Sequence, residues 1–338
     1  SQRMYKPTLF VITVGSENHA SSRIRMINYF EQLKETFNLT WMPLRGYRDY
    51  RSEGKASLTN SIDKYWRLLK TIFFLVGFNY DYVVVQKEIV ASWLLKHVKR
   101  KGSVLIFDMD DAIYLAHENN FSDYLNLFDK IIVSTPFLAE RFKDIDTPIL
   151  VIPSSVFLPN LAENRKLLND QCIHISWIGS PSTSKYLTKV HDALLELSKS
   201  CEVQMHIMGA TIQLDGVNCI YHDWSIENER TLLSNTDVGI MPLDNTEWET
   251  MKGGYKLLLY MSFGIPVIAD AVGTNTLIVQ HEINGYLAQE TSQWLAHFKR
   301  LISHKEETIQ LGINGRKTVE TTYSYDVNAS RLIQFIKN

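Results

Sequence analysis

Short runs of apolar and β-branched residues alternate along the first half of the chain with longer stretches in which apolar positions recur at helical spacing. The runs are LFVITV (9–14), YVVVQ (82–86), VLIFD (104–108), KIIVST (130–135) and ILVIP (149–153), separated by helical patterns at 23–36, 89–100, 121–128 and 136–143. Such alternation predicts a parallel sheet wrapped by helices. The pattern lapses over the polar stretch 158–171, which contains Pro159 and no strand run, and this reads as a connection between domains. It restarts with HISWIG (174–179), VQMHIMG (203–209), CIYHD (219–223), VGIMPL (238–243) and PVIAD (266–270), with helices near 185–199, 226–235 and 253–263. The predicted fold class is α/β: two tandem Rossmann-like, doubly wound parallel-sheet domains facing a cleft. The first spans 1–158, a linker 159–171 and the second 172–320.

Composition agrees with this and narrows the chemistry. A length of 338 residues suits two domains, and 45% apolar with 21% charged residues is ordinary globular composition. Lys plus Arg number 35 against 37 Asp plus Glu, a net charge of −2, so there is no basic field to hold nucleic acid. Cys172, Cys201 and Cys219 have neither paired spacing nor nearby His clusters, so neither a disulfide framework nor a zinc site is expected. The apolar run TIFFLVGF (71–78) is too short to span a bilayer, and the first residues lack a signal-peptide pattern, so the expected location is cytoplasmic. The basic, aromatic stretch RGYRDYR (45–51) has two readings, peripheral contact with an anionic membrane surface and a solvated loop.

In open parallel sheets ligands bind beyond the carboxyl ends of the strands, so the residues that follow each strand come next. The first strand opens into GSENHASSRIR (15–25), where Gly15 and Ser16 precede a helix bearing Arg23 and Arg25. Phosphate or acceptor recognition is one reading, and a tight turn with surface arginines is the other. Neither GxGxxG nor GxxxxGK[ST] occurs, which removes the main support for dinucleotide and P-loop sites. After VLIF come Asp108, Asp110 and Asp111, which could bind a cation but read better as an N-cap at Asp111 and a loop-orienting Asp110; no metal site is assigned. His117 nearby is either a contact to a substrate hydroxyl or structural. In the second half, WIGSPSTSKYL (177–187) offers Gly179, Ser180, Ser182 and Lys185 either as a diphosphate cradle or as a helix-capping turn. Asp223 and Trp224 could frame a nucleotide base, with burial in the core as the alternative for Trp224. The strongest signal is at 241–288, where Lys252, Gly253, Gly254 and Tyr255 lead into a helix with Lys256 one turn on. Amides at a helix start, joined by lysine charge, suit negative oxygens.

The 252–288 segment, with WIGSPST (177–183), FDMDDAIY (107–114), the S-x-R-x-R element at Ser21 to Arg25 and YSYDVNASRLIQFI (323–336), resembles bacterial glycosyltransferases of the GT-B fold, family 4. The match covers nearly the whole chain in order. The resemblance implies retaining transfer of a sugar from a nucleotide-diphosphate sugar, with no metal or other cofactor. The donor is expected mainly in the second domain and a glycan, lipid-linked or protein acceptor in the first, with a last helix at 321–338 crossing back to the first domain. Candidate donor residues are Gly15, Ser16, Gly179, Ser180, Ser182, Asp223, Trp224, Glu249, Met251, Gly253, Gly254, Tyr255 and Lys256. Candidate acceptor residues are Arg23, Arg25, Asp110, Asp111 and His117. Lys252 and Lys185 are the candidate catalytic groups, because the departing diphosphate gains charge that cations and amide dipoles stabilise. One departure stands out: many family members carry two glutamates separated by seven residues, and those positions here are Met251 and Leu259. Glu247 or Glu249 could supply a nearby acid. Two other function classes stay in view, a non-catalytic sugar-nucleotide-binding subunit and an epimerase, the latter disfavoured because these loops show few dedicated acids and bases.

Overall fold

A computed structural model describes residues 5–45, 58–117, 120–161 and 171–338. The stretch 46–51 of the basic segment and residues 162–170 of the expected linker lie outside the described residues. Packing divides the chain into two compact units. Unit 1 holds the chain up to Ser155 together with Met251–Gly253 and Tyr325–Asn338, and unit 2 holds Val156–Thr250 and Gly254–Ser324.

Unit 1 is built on a parallel sheet of β1 (Thr8–Thr13), β2 (Asn38–Pro43), β3 (Tyr82–Gln86), β4 (Val104–Met109), β5 (Lys130–Val133) and β6 (Ile149–Val151), in the order β2-β1-β3-β4-β5-β6. Its helices are α1 (Ala20–Arg25), α2 (Phe30–Thr36), α3 (Leu58–Gly77), α4 (Ser92–Arg100), α5 (Phe121–Leu125) and α6 (Pro136–Arg141). The central strands are buried on both faces, which is why their apolar runs are continuous rather than alternating. Three differences from the sequence reading have local causes. The helix expected over 23–36 is broken by a 3-10 turn at Ile27–Tyr29. Strand β2 is a partly exposed edge strand ending in Pro43, so it shows no long apolar run. Helix α3 exposes most of its apolar residues, so one buried stripe does not mark it.

The chain's terminal helix (Tyr325–Lys337) packs Tyr325, Ala329, Leu332 and Ile336 into the unit 1 core beside Leu9, Val11 and Ile132. Polar contacts fix its register. Tyr325 donates to the Ile24 carbonyl at 3.1 Å, and Asn328 donates to Ser155 Oγ at 2.9 Å.

Unit 2 contains β7 (Cys172–Ile178), β8 (Glu202–Met208), β9 (Asn218–His222), β10 (Val238–Met241), β11 (Val267–Asp270) and β12 (Tyr286–Ala288), all parallel, in the order β12-β11-β10-β7-β8-β9. Its helices are α7 (Pro181–Ser184), α8 (His191–Leu197), α9 (Ile226–Ser234), α10 (Glu247–Thr250), α11 (Tyr255–Ser262), α12 (Asn275–Ile278), α13 (Thr291–Ser303) and α14 (Lys305–Thr318). The helix expected over 185–199 is a composite of α7, a 3-10 stretch at Lys185–Val190, and α8. This strand order is the doubly wound one in which the chain reverses direction after its third strand, β9, and returns to the other side of β7, so a switch point lies between β7 and β10. In unit 1 the corresponding point lies between β1 and β3.

Candidate active site

At the unit 2 switch point the sequence leaves the backbone bare. Strand β7 runs into Gly179, where a Cβ would sit 2.4 Å from the Trp177 ring. Strand β8 runs into Gly209, at φ +86°, where a Cβ would sit 2.2 Å from the Gly179 carbonyl oxygen. Two neighbouring strands thus end in glycines whose main chains touch, and any side chain there would force them apart. Lys256, on the first turn of α11, places its amine 4.7 Å from the Trp177 ring centroid and 3.0 Å from where a Gly179 Cβ would be. The aromatic face holds the ammonium in place. Helix α11 starts there because Gly254, at φ +70°, turns the chain where a Cβ would strike Ile278 at 2.5 Å. Tyr260 closes the floor: its hydroxyl accepts from the Ile178 amide and donates to the Ile240 carbonyl, both at 3.2 Å, joining β7 to β10.

The hydroxyl-rich turn has the capping function that its alternative reading described. Ser180 caps α7 in a reciprocal pair with Thr183, and its hydroxyl lies 2.9 Å from that of Ser182. Lys185, exposed at the end of α7, rests 5.3 Å from the Tyr186 ring centroid. Glu249 is buried and accepts from the hydroxyls of Tyr186 and Thr246, so it anchors α10 instead of presenting an acid. Burial first, and then this carboxylate, push the Tyr186 phenol well above its usual range. Trp224 is half-buried and donates to Glu229 at 2.9 Å, while the Asp223 carbonyl accepts from Asn228 at 3.0 Å.

Unit 1 gathers a second cluster at its own switch point. The Gly15 amide donates to Ser22 Oγ at 3.1 Å, Ser22 donates to Gln86 at 3.0 Å, Gln86 to Ser21 at 2.9 Å, and Ser21 to Asp110 at 2.6 Å. This chain of hydrogen bonds latches the ends of β1, β3 and β4 together. Lys87, directly after β3 and at φ +59°, pairs with Asp110 at 2.9 Å and Asp111 at 2.6 Å. Sequence reasoning missed Lys87, although its place immediately behind a buried strand was the available signal. Asp111 is therefore an ion-pair partner and not the expected N-cap; Ala112 occupies that place before the following 3-10 turn. Burial opposes ionisation of Asp110, but Lys87 and the Ser21 hydroxyl outweigh it and hold its pKa down. Burial and then the Asp110 charge push Asp111 up.

Other sequence candidates fall in less expected places. Arg25 is 3% exposed and locked to Asp108 by bonds of 3.2 and 2.6 Å, with a further bond of 2.6 Å to the Ile152 carbonyl, so its fork is spent on the fold and not on an acceptor. Arg23 turns back to the Glu17 carbonyl at 2.9 Å, and the Ser16 carbonyl accepts from the His19 amide at the same distance. Met251–Gly253 belong to unit 1: Met251 lies in its core, Lys252, after Lys87, opposes the rise in the Asp111 pKa, and a Gly253 Cβ would sit 2.9 Å from Ser154 Oγ. Lys252 and Gly253 thus fall in unit 1 and Gly254, Tyr255 and Lys256 in unit 2, where Lys256 lies at the Gly179 turn. His117 is exposed and lines a cavity of about 600 Å³ with Ser92, Lys96, Asn120, Asp123 and Tyr124. Among the described residues no three His, Cys, Asp or Glu side chains are grouped to hold a metal ion, and no helix is long and apolar enough to cross a membrane.

Residues 173–304 match the family model for glycosyl transferases group 1. The second unit carries a group 1 glycosyltransferase domain. Solved structures of similar fold extend the likeness over the chain. A glycosyltransferase from Rickettsia africae is 14% identical with a TM-score of 0.71, over 98% of each chain. Sucrose-phosphate synthase from Thermosynechococcus elongatus is 13% identical with a TM-score of 0.73, again over 98% of each. Anabaena HepE, in complex with UDP and glucose, is 13% identical with a TM-score of 0.69, over 99% of this chain and 100% of its own. The fold is that of GT-B glycosyltransferases. No curated protein matches by sequence.

The glycosyltransferase domain departs from the expected glutamate pair in a physically consistent way. Leu259 is 7% exposed within its core, and Met251 is 8% exposed within the core of unit 1. A carboxylate at either position would be buried among apolar groups, at a cost of several kcal/mol.

Two histidines outside the Gly179 turn give stability a pH dependence. His19 caps α1, and burial, then Lys87, lower its pKa from 6.5 to about 4. His206 lies between His174 and His222, 3.0 Å from each, and burial followed by these two neighbours lowers its pKa to about 4 as well. The unfolded chain binds protons at these groups below about pH 6.5 while the folded one does not until about pH 4. Their stabilisation is therefore fully present above pH 6.5 and is lost as the pH falls toward 4, on the order of 2 kcal/mol for His19 and less for the more solvent-screened His206. Denaturant titrations across this range should show the fall, reduced in His19→Gln.

Proposed function

We propose that the protein transfers a hexosyl or N-acetylhexosaminyl group from a nucleotide-diphosphate sugar to a hydroxyl of a glycan, lipid-linked or protein acceptor, with retention of configuration and without a metal. The observation that carries this reading is the Lys256 amine beside the bare Gly179–Gly209 backbone, at the switch point of a group 1 glycosyltransferase domain. An anionic diphosphate needs close main-chain approach and a point charge, and this turn offers both. Lys185 and the hydroxyls of Ser180 and Ser182 extend the cradle. HepE, of the same fold, is a complex with UDP and glucose, which favours a nucleoside-diphosphate hexose here.

As the bond between sugar C1 and the diphosphate oxygen breaks, negative charge grows on the leaving group, and Lys256 stabilises it more in the transition state than in the ground state. The acceptor oxygen forms its new bond to C1 on the same face, and its proton passes to the departing diphosphate oxygen. No side-chain base is required. In the acceptor unit, Asp110, Asp111 and Lys87 present paired charges, and the cavity beside His117 offers polar groups among apolar walls.

The burial of Met251 and Leu259 favours one alternative, a sugar-nucleotide-binding subunit without catalysis. A thermal-shift screen of nucleotide sugars, followed by assay of each hit for donor hydrolysis and transfer, separates the two. Turnover is the expected result and binding without turnover supports the alternative. Excess EDTA is expected to leave the rate unchanged, whereas loss of activity restored by Mn²⁺ would contradict the metal-independent reading.

A further inference from the structure

We propose that the cavity between α4 and α5 of unit 1 binds an uncharged oligosaccharide and so holds an acceptor glycan at a point away from the sugar that reacts. The inference rests on the reading of unit 1 as the acceptor unit and adds to it a contact outside the charged cluster at the switch point, since none of Gly15, Lys87, Asp110 and Asp111 lines the cavity. Its volume, about 600 Å³, falls within the range of small-ligand sites, about 300–1,000 Å³. Its walls are fixed before a ligand arrives. Tyr124 of α5 accepts from the Val90 amide and donates to the Glu88 carbonyl, both at 3.0 Å, which pins the segment that carries Ile89 between β3 and α4. The same ring packs edge-on against Phe107 and Phe128, with centroids 5.6 and 5.2 Å away, so α5 is anchored in the core. Preformed walls spare the ligand the cost of ordering them.

The lining says what the ligand is. Ser92 and Lys96 come from α4, and His117, Asn120 and Asp123 from the start of α5 and the segment before it; among the described residues none of the five makes a side-chain hydrogen bond or an ion pair. Lys96 and Asp123 carry opposite charges into one cavity and do not meet, which leaves the space between them for a ligand. One lysine against one carboxylate gives no net field for a phosphate or a carboxylate ligand. Sugar hydroxyls both donate and accept, and here Lys96 only donates, the Asp123 carboxylate only accepts, and Ser92, Asn120 and His117 do either. Ile89, 43% exposed, and Leu127 supply an apolar side for the carbon face of a ring. Next to Ser92 and three residues before Lys96, hence on the same side of α4, Trp93 is 57% exposed. The negative face of its indole complements the polarised C–H groups of a pyranose.

The test is an array of neutral and anionic oligosaccharides probed with the full chain at saturating UDP, which fills the donor site, followed by calorimetric titration of the best-retained glycan. The expected result is retention of neutral glycans of two or more sugars, with affinity falling at least ~10-fold in Asp123→Ala and in Trp93→Ala while melting temperature and UDP affinity stay unchanged. Retention of no glycan, or affinity that both variants leave intact, would overturn the proposal. So would retention of anionic glycans alone, lost in Lys96→Ala and kept in Asp123→Ala, since the cavity would then be an anion site. Binding is read without transfer, so a chain that binds these glycans and turns over no donor would contradict the transferase reading while this site stands.

Discussion

Lys256→Ala is expected to lower sugar transfer on the order of 100-fold, the scale seen when one fixed group is removed from a charge-stabilising site. The amine is held 4.7 Å from the Trp177 ring centroid, so it is positioned before the donor arrives. Because charge on the diphosphate grows as the sugar departs, the loss should fall more on kcat than on KM. The lost cation–π contact with Trp177 is worth about 0.5–1 kcal/mol of stability. Lys256→Arg keeps the cation but cannot place it as a compact point charge, and should recover donor affinity more than rate. Steady-state kinetics with matched melting curves measure both effects. An equal loss in kcat and melting temperature would mean that Lys256 acts on the fold alone.

The largest stability effect belongs to a residue that sequence reasoning assigned to the acceptor. Arg25→Ala is expected to destabilise the protein by about 3–5 kcal/mol, because it leaves the Asp108 carboxylate buried and unpaired. Asp108 is fully buried and accepts from two guanidinium nitrogens of Arg25; burial raises the Asp108 pKa against the Arg25 charge, and the carboxylate raises the Arg25 pKa against burial, so each group depends on the other. Replacing both, as Arg25→Met/Asp108→Leu, should recover most of the loss, since two apolar groups of similar volume carry no desolvation cost. Chemical denaturation of the single and double variants measures it. A single variant as stable as the parent would show that the pair does not anchor β4 to α1.

The strand runs, the glycine after β7 and the lysine-glycine segment before α11 were legible because each is a local pattern, set by burial on both faces or by a turn that tolerates no side chain. What stayed hidden depends on distance along the chain. Arg25 and Asp108 are 83 residues apart, and nothing local to either shows that one neutralises the other. Glu249 looked like a nearby acid until Tyr186, 63 residues away, was seen to donate to it. Spacing alone likewise does not reveal that the chain passes from unit 1 to unit 2 after Gly253.

The account rests on the diphosphate of the donor lying at the Gly179 turn under the Lys256 amine. A crystal structure with bound UDP tests this most directly. The account predicts a diphosphate oxygen about 3 Å from Lys256 Nζ and in contact with the Gly179–Ser180 backbone. A nucleotide bound with its phosphates away from β7 and α11 would contradict it.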